Sequence, residues 1–174
     1  ERCGSPGVRR TGSDPGLDNS ASYTEQATPV VLASGAVVSD SDDTDLTGAT
    51  VFLCDDFQPG DVLSINGATS GTVGAISFSY DDSIGLLPLT GTATVADYQA
   101  LLQQVAFSST SDAPGTTREV EWTVNDGTLN SDVAYTELTI TPVNDPPSGF
   151  NSTVSTPEDT AYTLHAGVFY FNDP

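Results

Sequence analysis

An alternating apolar strand runs into Asn-Asp and two prolines in the stretch LTITPVNDPPSGF, residues 138–150. Leu138 and Ile140 lie two positions apart and therefore share one face of a strand. Pro146 and Pro147 restrict the backbone and favour extended chain at the residue before them. Because apolar sequence resumes after the prolines, we predict that one domain ends at this strand and that another begins beyond it.

The sequence before this stretch consists of short apolar runs separated by glycine, aspartate, asparagine and serine, which is typical of a β-sandwich. In REVEWTV, residues 118–124, the side chains of Arg118, Val120 and Trp122 share one face of a strand, with Trp122 as the expected core anchor. Further strands are expected in TPVVLASGAVVS (28–39), LTGATVFL (46–53), DVLSI (61–65) and GTVGAISFSY (71–80).

One segment departs from the β pattern. In TVADYQALLQQVAF, residues 94–107, apolar side chains recur at helical spacing from Val95 to Val105. Thr94 is the expected N-cap, and Asp97 three residues later completes a capping-box pattern. We expect a helix of about three turns that crosses between strands and packs its apolar stripe on the core.

The chain is strongly acidic, with 24 acidic and four basic residues and a formal net charge of -20. Lysine is absent, and three of the four arginines fall in the first ten residues. We therefore expect no nucleic-acid partner. Such a surface repels itself unless cations screen or bind it, which favours surroundings rich in salt or divalent ions; an acidic solubilising surface is the alternative. The absence of a long apolar run predicts no membrane span.

The two cysteines, the N-terminal residues and one Asn-x-Thr triplet do not by themselves indicate a function. Cys3 and Cys54 lie in unlike contexts, which does not predict a disulfide framework, and Cys54 is expected to be a small strand residue. Residues 1–17 lack apolar periodicity and are interpreted as a disordered or foreign leader, in what we expect to be an internal fragment of a longer protein. The triplet NST, residues 151–153, matches a glycosylation acceptor, which in a bacterial protein we interpret as chance.

An internal repeat determines the predicted domain organisation. Residues 24–41, TEQATPVVLASGAVVSDS, align without gaps with residues 157–174, PEDTAYTLHAGVFYFNDP. The alignment matches Glu25 with Glu158, Val31 with Leu164, and Asp40 with Asp173. We therefore divide the chain into residues 1–17, a leader, residues 18–145, a complete repeat, and residues 146–174, a linker with the opening part of a second repeat.

Acidic residues cluster where the predicted strands end. Carboxylates distant in sequence can meet at one pole of a sandwich, where two of them about 4 Å apart repel by about 4 kcal/mol at an effective dielectric constant near 20. Oxygen ligands without nearby histidine or cysteine favour a hard cation, and Ca²⁺ fits better than Mg²⁺. The loop DSDDTDLTGATVFLC fails as an EF-hand because Cys54 stands where the bidentate glutamate is required. Taken alone, this loop is equally well a solvated turn.

The segment WTVNDGTLNSDVAYTELTITPVNDPP, residues 122–147, resembles the last two strands and the linker of a cadherin-type repeat. The wider sequence, including VSDSDDTDLTGATV and ATVADYQALLQQVAFSSTSDAPG, is similar to cadherin-like tandem repeats of large bacterial surface adhesins and RTX-type secreted proteins. The resemblance covers about residues 18–174. It implies an all-β, Greek-key β-sandwich of cadherin or immunoglobulin-like type, with one short crossing helix, followed by a truncated second repeat. It also implies an extracellular or cell-surface location.

The same resemblance implies Ca²⁺ ions between successive repeats. Carried over residue by residue, it gives a junction site and an upper site, the second facing a preceding repeat and expected to be incomplete. The junction site comprises Glu25, Asp112, Asn144, Asp145 and Asp173, and the upper site comprises Asp40, Asp42 and Asp126. This sequence departs from the family pattern in its acidic turn, TSDAPG, and at Thr141 in the linker. Fewer carboxylates predict one or two ions, bound with a dissociation constant of about 10⁻⁴ to 10⁻³ M.

We accordingly expect a calcium-binding structural or adhesive repeat and not an enzyme. The only histidine, His165, is expected to be structural or at the surface, and no catalytic motif is found. Expected partners are neighbouring repeats of the same chain and cell-surface or matrix glycans or proteins. The alternative is a carbohydrate-binding module, although Trp122 lies in a core register and Tyr23, Tyr80 and Tyr135 form no stripe.

Overall fold

The structure is a computed structural model that describes residues 19–165, 167 and 170–172. It divides into two compact units, the first ending at Pro142 and the second beginning at Val143. This division falls slightly before the boundary predicted at residue 145. The predicted leader, residues 1–17, lies outside the described residues. In the part of the chain that is described, no helix is both long enough and apolar enough to cross a membrane.

The described residues of the first unit form two sheets and one helix. The larger sheet has seven strands in the order β1-β10-β9-β3-β7-β6-β5, and the smaller has three in the order β2-β8-β4. The strands are β1 (Asn19–Thr24), β2 (Val30–Val31), β3 (Asp45–Asp55), β4 (Asp61–Ile65), β5 (Ser70–Val73), β6 (Ile76–Ser79), β7 (Leu86–Thr94), β8 (Val105–Ser109), β9 (Thr117–Asn125) and β10 (Ala134–Thr141). Buried apolar residues from both sheets form one core. The prediction of an all-β sandwich is confirmed.

The first and last strands of this unit are neighbours. β1 pairs with β10 in parallel over its whole length, from Asn19 opposite Thr136 to Thr24 opposite Thr141. All other strand pairs of the unit are antiparallel among the described residues. Trp122, in the interior strand β9, is 2% exposed and donates its indole N–H to the Thr136 hydroxyl at 3.0 Å. The predicted core anchor is therefore confirmed.

A buried ion pair joins the two sheets. Arg118 begins the inward face of β9, and its Nε donates to Oδ2 of Asp61, the first residue of β4, at 2.6 Å. Both side chains are fully shielded from solvent. Arg118 also donates to the carbonyl of Thr117, while Asp61 accepts the backbone N–H of Gln58 at 2.9 Å. Each charged group therefore has a further hydrogen-bond partner besides the other, as buried charges require.

The helix α1 (Val95–Leu102) has eight residues and is shorter than the predicted three turns. The N-cap is as predicted, because the Thr94 hydroxyl accepts the backbone N–H of Asp97 at 3.2 Å. The helix ends early because Val105 pairs with Ile65 in the smaller sheet, so tertiary pairing takes residues that would have extended it. The buried residues of the helix are Tyr98, Leu101 and Leu102.

Three local predictions need correction. Residues 71–80 form the hairpin of β5 and β6, turned at Gly74 with a φ of 60°, instead of one strand. Within residues 28–39 only Val30–Val31 is a strand, and Leu32, Ala33 and Ala36 after it are buried without belonging to a sheet. Strand β1 was not predicted because its serine-rich sequence carries little apolar pattern; it exists through its pairing with β10.

The expectation that Cys54 is not part of a disulfide also needs correction. It is a half-buried residue of β3, as expected, but its sulfur is disulfide-bonded. None of the cysteines in the described part is a free thiol. Two isolated cysteines carry no spacing pattern from which this bond could be predicted.

The second unit is small and largely irregular. Its strands β11 (Ser148–Phe150) and β12 (Tyr170–Asn172) pair in antiparallel fashion. The aromatic side chains of Phe150 and Phe171 are 73% and 78% exposed. The described residues between these strands are exposed.

Both copies of the internal repeat contain the same turn. In the first copy, the N–H of Ala27 donates to the carbonyl of Thr24 at 3.0 Å, and Gln26 has a φ of 62°. At the aligned positions of the second copy, the N–H of Thr160 donates to the carbonyl of Pro157 at 3.3 Å, and Asp159 has a φ of 58°. Thus the two copies have the same backbone conformation in this turn.

Candidate functional site

The first acidic group, which we call the lower pair, consists of Glu25 and Asp112. Glu25 directly follows β1, and its backbone N–H donates to the carbonyl of Thr141, the last residue of β10, at 3.0 Å. Asp112 lies in the loop between β8 and β9. One carboxylate oxygen of each residue lies within 4.8 Å of the other. Glu25 is 3% exposed and its Oε1 is shielded from solvent, so one member of the pair is a buried acid.

The other predicted junction residues belong to the second unit or are not described. Asn144 and Asp145 follow β10 closely in sequence, and the Asn144 side-chain amide donates to the carbonyl of Asp145 at 3.1 Å. Asp145 is half-buried. Asp173 lies outside the described residues. Within the first unit, therefore, the structure brings Glu25 and Asp112 together.

The second acidic group, the upper cluster, consists of Asp40, Asp42 and Asp43. It precedes the start of β3, at the opposite end of the sandwich from the lower pair. Oδ1 of Asp40 accepts the backbone N–H groups of Asp42 and Asp43, both at 3.1 Å. One carboxylate oxygen from each of the three residues lies within 4.8 Å of the others. The loop thus folds its carboxylates toward one another.

The charges of the upper cluster influence one another. The two backbone hydrogen bonds hold the pKa of Asp40 below its ordinary value, because they stabilise the ionised carboxylate. Desolvation, and then the nearby charges of Asp40, Asp42, Asp126 and Asp45, raise the pKa of Asp43. The surroundings of Asp43 therefore disfavour a negative charge on its carboxyl group.

At this end of the sandwich, Asp126 was predicted as a metal ligand and Asp43 was not. Asp126, predicted as an upper ligand, directly follows β9, and its Oδ1 accepts the backbone N–H groups of Thr128 and Leu129 at 2.6 and 2.8 Å. One of its two oxygens thus stabilises its own turn. Asp43 was not among the predicted ligands because the family pattern omits it. Its position within the run DSDDTD was the available signal.

A third acidic group lies on the outer face of the larger sheet. Burial, followed by the charges of Asp55, Glu121 and Glu137, raises the pKa of Glu119, and burial also raises the pKa of Glu121. Oxygens of Glu119 and Glu121 lie within 4.8 Å of the Cys54 sulfur. Because that sulfur is in a disulfide, it offers no thiolate to a metal. This face is a place of charge repulsion in the folded state.

Tyr23 and Tyr80 of the first unit have structural contacts. Tyr23 is 2% exposed, packs edge-on against Phe107 with ring centroids 5.3 Å apart, and donates its hydroxyl to the carbonyl of Ser109. Tyr80 is half-buried and donates to the carbonyl of Asp61 at 2.8 Å. These rings offer no stacking platform for a sugar. His165 is exposed in the second unit, outside its strands.

The fold and the acidic groups define an all-β sandwich unit with carboxylates gathered at both ends, connected to a second, smaller unit. No known protein-family model matches the chain. The chain is 28% identical over 107 residues, or 61% of its length, to a segment of the protein named Halomucin from Haloquadratum walsbyi. It spans about 1% of the length of that protein. This similarity relates the chain to a small part of a very large protein.

Proposed function

We propose that the chain is a calcium-binding structural or adhesive repeat of an extracellular protein, in which Ca²⁺ stiffens the connection between neighbouring repeats. The proposed role is binding, not catalysis. The observation that carries the proposal is the lower pair, because a buried glutamate and a second carboxylate lie within 4.8 Å of each other. This pair lies beside the last strand of the first unit, where the chain continues toward the second.

Electrostatics favour a cation at the lower pair. Two unit charges at most 4.8 Å apart repel by at least about 3.5 kcal/mol at an effective dielectric constant near 20. A divalent ion between the two carboxylates would turn this repulsion into attraction. Carboxylate oxygens are hard ligands, which suit Ca²⁺.

The chain supplies further oxygen ligands just after the last strand. Asn144 and Asp145 follow Thr141 so closely that a fully extended chain reaches at most about 14 Å from it to Asp145. The Glu25 backbone is hydrogen-bonded to Thr141, so the lower pair and the linker oxygens are tethered to the same strand end. A Ca²⁺ ion that took ligands from both would restrict the linker.

The upper cluster supports a second, weaker binding position. Repulsion among its carboxylates contributes to the raised pKa of Asp43, and a bound cation would relieve that repulsion. Asp42 and Asp43 are exposed, so water competes for the ion and the affinity there is expected to be low.

Composition and similarity support the extracellular part of the proposal. A net charge of -20 favours surroundings rich in salt or divalent cations over a dilute, cation-poor environment. The similarity to a segment of Halomucin, of which the matched part is very small, supports a unit embedded in a much longer protein.

The proposal is tested by calorimetric titration of the full chain with Ca²⁺ and by thermal melting with and without EDTA. Free Ca²⁺ at a hundred times its dissociation constant would stabilise the folded state by about 2.7 kcal/mol, which raises the melting temperature. The same titration with Mg²⁺, and with NaCl at equal ionic strength, separates specific binding from screening. A melting curve that is identical in Ca²⁺ and EDTA would contradict the proposal.

Two variants assign the effect to the lower pair. Glu25→Gln and Asp112→Asn each remove one charge with little change in shape, and we expect both to reduce the Ca²⁺-dependent rise in melting temperature. Glu121→Gln is the matched control, because it removes a carboxylate from the outer sheet face. An equal loss in all three variants would mean that Ca²⁺ only screens the overall charge.

A further inference from the structure

The triplet Asn151-Ser152-Thr153 is the only Asn-x-Ser/Thr sequence in the chain, and its middle residue is not proline. The seven asparagines of the chain therefore include one that satisfies the acceptor pattern for N-linked glycosylation. All three residues of the triplet are exposed. The pattern and the exposure are independent observations, and both point to the same asparagine.

The backbone around Asn151 is accessible to an enzyme. Asn151 directly follows β11, and residues 151–157 belong to no helix or strand. Within the described part of the chain, the Asn151 side chain takes part in no hydrogen bond. By contrast, the Asn125 amide donates to the carbonyl of Leu129 and to Oδ1 of Asn130. Asn151 thus presents a free carboxamide on a segment that can enter an active site without breaking a sheet.

The exposure of this segment reverses our interpretation of the triplet as a chance match, and we propose that Asn151 is an N-glycosylation site, modified while the chain is exported from the cell. In this reaction the amide nitrogen of Asn151 attacks the anomeric carbon of an oligosaccharide linked to a polyprenyl phosphate or diphosphate. The C–N bond forms, the C–O bond to the phosphate breaks, and the polyprenyl phosphate or diphosphate leaves. The amide proton passes to a base of the transferase. The Thr153 hydroxyl is the acceptor feature that the transferase requires two residues after the asparagine.

The inference rests on the extracellular location in the proposed function, but it does not depend on calcium.

The full chain, preceded by a secretion signal, is produced in cells that carry an N-oligosaccharyltransferase, together with a secreted reporter of known glycosylation. Denatured protein is then measured by intact mass spectrometry and by peptide mapping. Because the mass is read after denaturation, it is independent of whether Ca²⁺ stabilises the fold.

We expect the mass of the secreted chain to exceed its sequence mass by one glycan, located on the peptide that contains Asn151. Asn151→Gln and Thr153→Ala should remove the added mass, whereas Ser152→Ala and Thr153→Ser should retain it. An unmodified chain beside a glycosylated reporter would overturn the inference, as would a glycan that persists in Asn151→Gln. A glycosylated chain that melts identically in Ca²⁺ and EDTA would overturn only the calcium proposal.

Discussion

Residues 24–32 and 157–165 are copies of one sequence motif, and they share a turn but differ in the structure of the residues after the turn. Each turn has a residue with positive φ after a glutamate and one hydrogen bond closing it. In the first copy the next residues form β2, which pairs with β8, and Leu32 is 1% exposed. In the second copy the aligned residues are in no strand, and His165, which aligns with Leu32, is exposed.

The difference separates structure that is encoded locally from structure that requires a partner. A four-residue turn depends on the backbone preferences of its own residues, so it forms in both contexts. A two-residue edge strand gains little by itself and is stable only when another strand and a core are present. The first unit provides both, through β8 and the core around Leu32.

The largest expected effect concerns the long-range contacts that only the first unit has. Asp61→Ala leaves the buried Arg118 guanidinium without its carboxylate and should lower the free energy of unfolding by about 3–5 kcal/mol. Urea denaturation measures the loss. The double variant Asp61→Leu with Arg118→Met is the control, because it removes both charges and should recover most of the stability. If the Asp61→Ala variant were as stable as the wild type, contacts between the two sheets would not be the main source of stability of this unit.

The second test compares aligned positions of the two copies. Leu32→Ala should destabilise the first unit by about 2–5 kcal/mol, because it removes a fully buried side chain from a packed core. His165→Ala, at the aligned exposed position, should change the free energy of unfolding by less than about 0.5 kcal/mol. Equal effects in the same denaturation assay would show that the second copy is as well packed as the first.

The third test concerns the shared turn. Gln26→Val should lower stability by about 1–2 kcal/mol, because a β-branched residue is strained at a φ of 62°. Gln26→Gly removes the same side chain without the strain, so the difference between the two variants isolates the backbone effect. Asp159→Val and Asp159→Gly make the same comparison in the second copy. There the stability of the turn is measured by amide hydrogen exchange around residue 160. Opposite preferences at the two positions would contradict a common local turn.

The smallest expected effect is a pH dependence. The pKa of Glu119 is raised above its ordinary 4.5 in the folded state, so its contribution to stability is present below that pH and is lost as the pH rises through the folded pKa. Relative to the Glu119→Gln variant, the free energy of unfolding of the wild type should therefore fall by less than about 1 kcal/mol between pH 4.5 and 7. The fall should be smaller still in high salt. Glu158→Gln removes an equal charge from the second unit and should leave this difference unchanged.

Some predictions that rested on the spacing of residue types were confirmed. The period of two in REVEWTV placed Val120 and Trp122 in the core, and it also placed Arg118 there without identifying its partner. The Thr94 cap followed from residue types three positions apart. The convergence of Glu25 and Asp112 was predicted from a family resemblance, and the structure brings the two together within the first unit.

The errors arose where a distant segment decides the local structure. Strand β1 is held by β10, more than a hundred residues away in sequence, so its own residues gave no signal. The helix ends where β8 pairs with β4, and Cys54 is bonded through a contact that no spacing rule contains. Asp43 is distinguished by the charges that surround it in space, which a single acidic run does not reveal.

The parallel pairing of β1 and β10 has a mechanical consequence. If neighbouring repeats pull on the unit, one tether leaves from Asn19 and the other from Thr141, at opposite ends of the paired strands. Tension then acts along the strands and loads the hydrogen bonds of the ladder together in shear. Pulling single molecules at residues 19 and 141 should therefore need more force than pulling at residues 19 and 134, which peels the bonds apart one at a time; equal forces would contradict this. A unit tethered in this way resists stretching through the pairing of its own two ends.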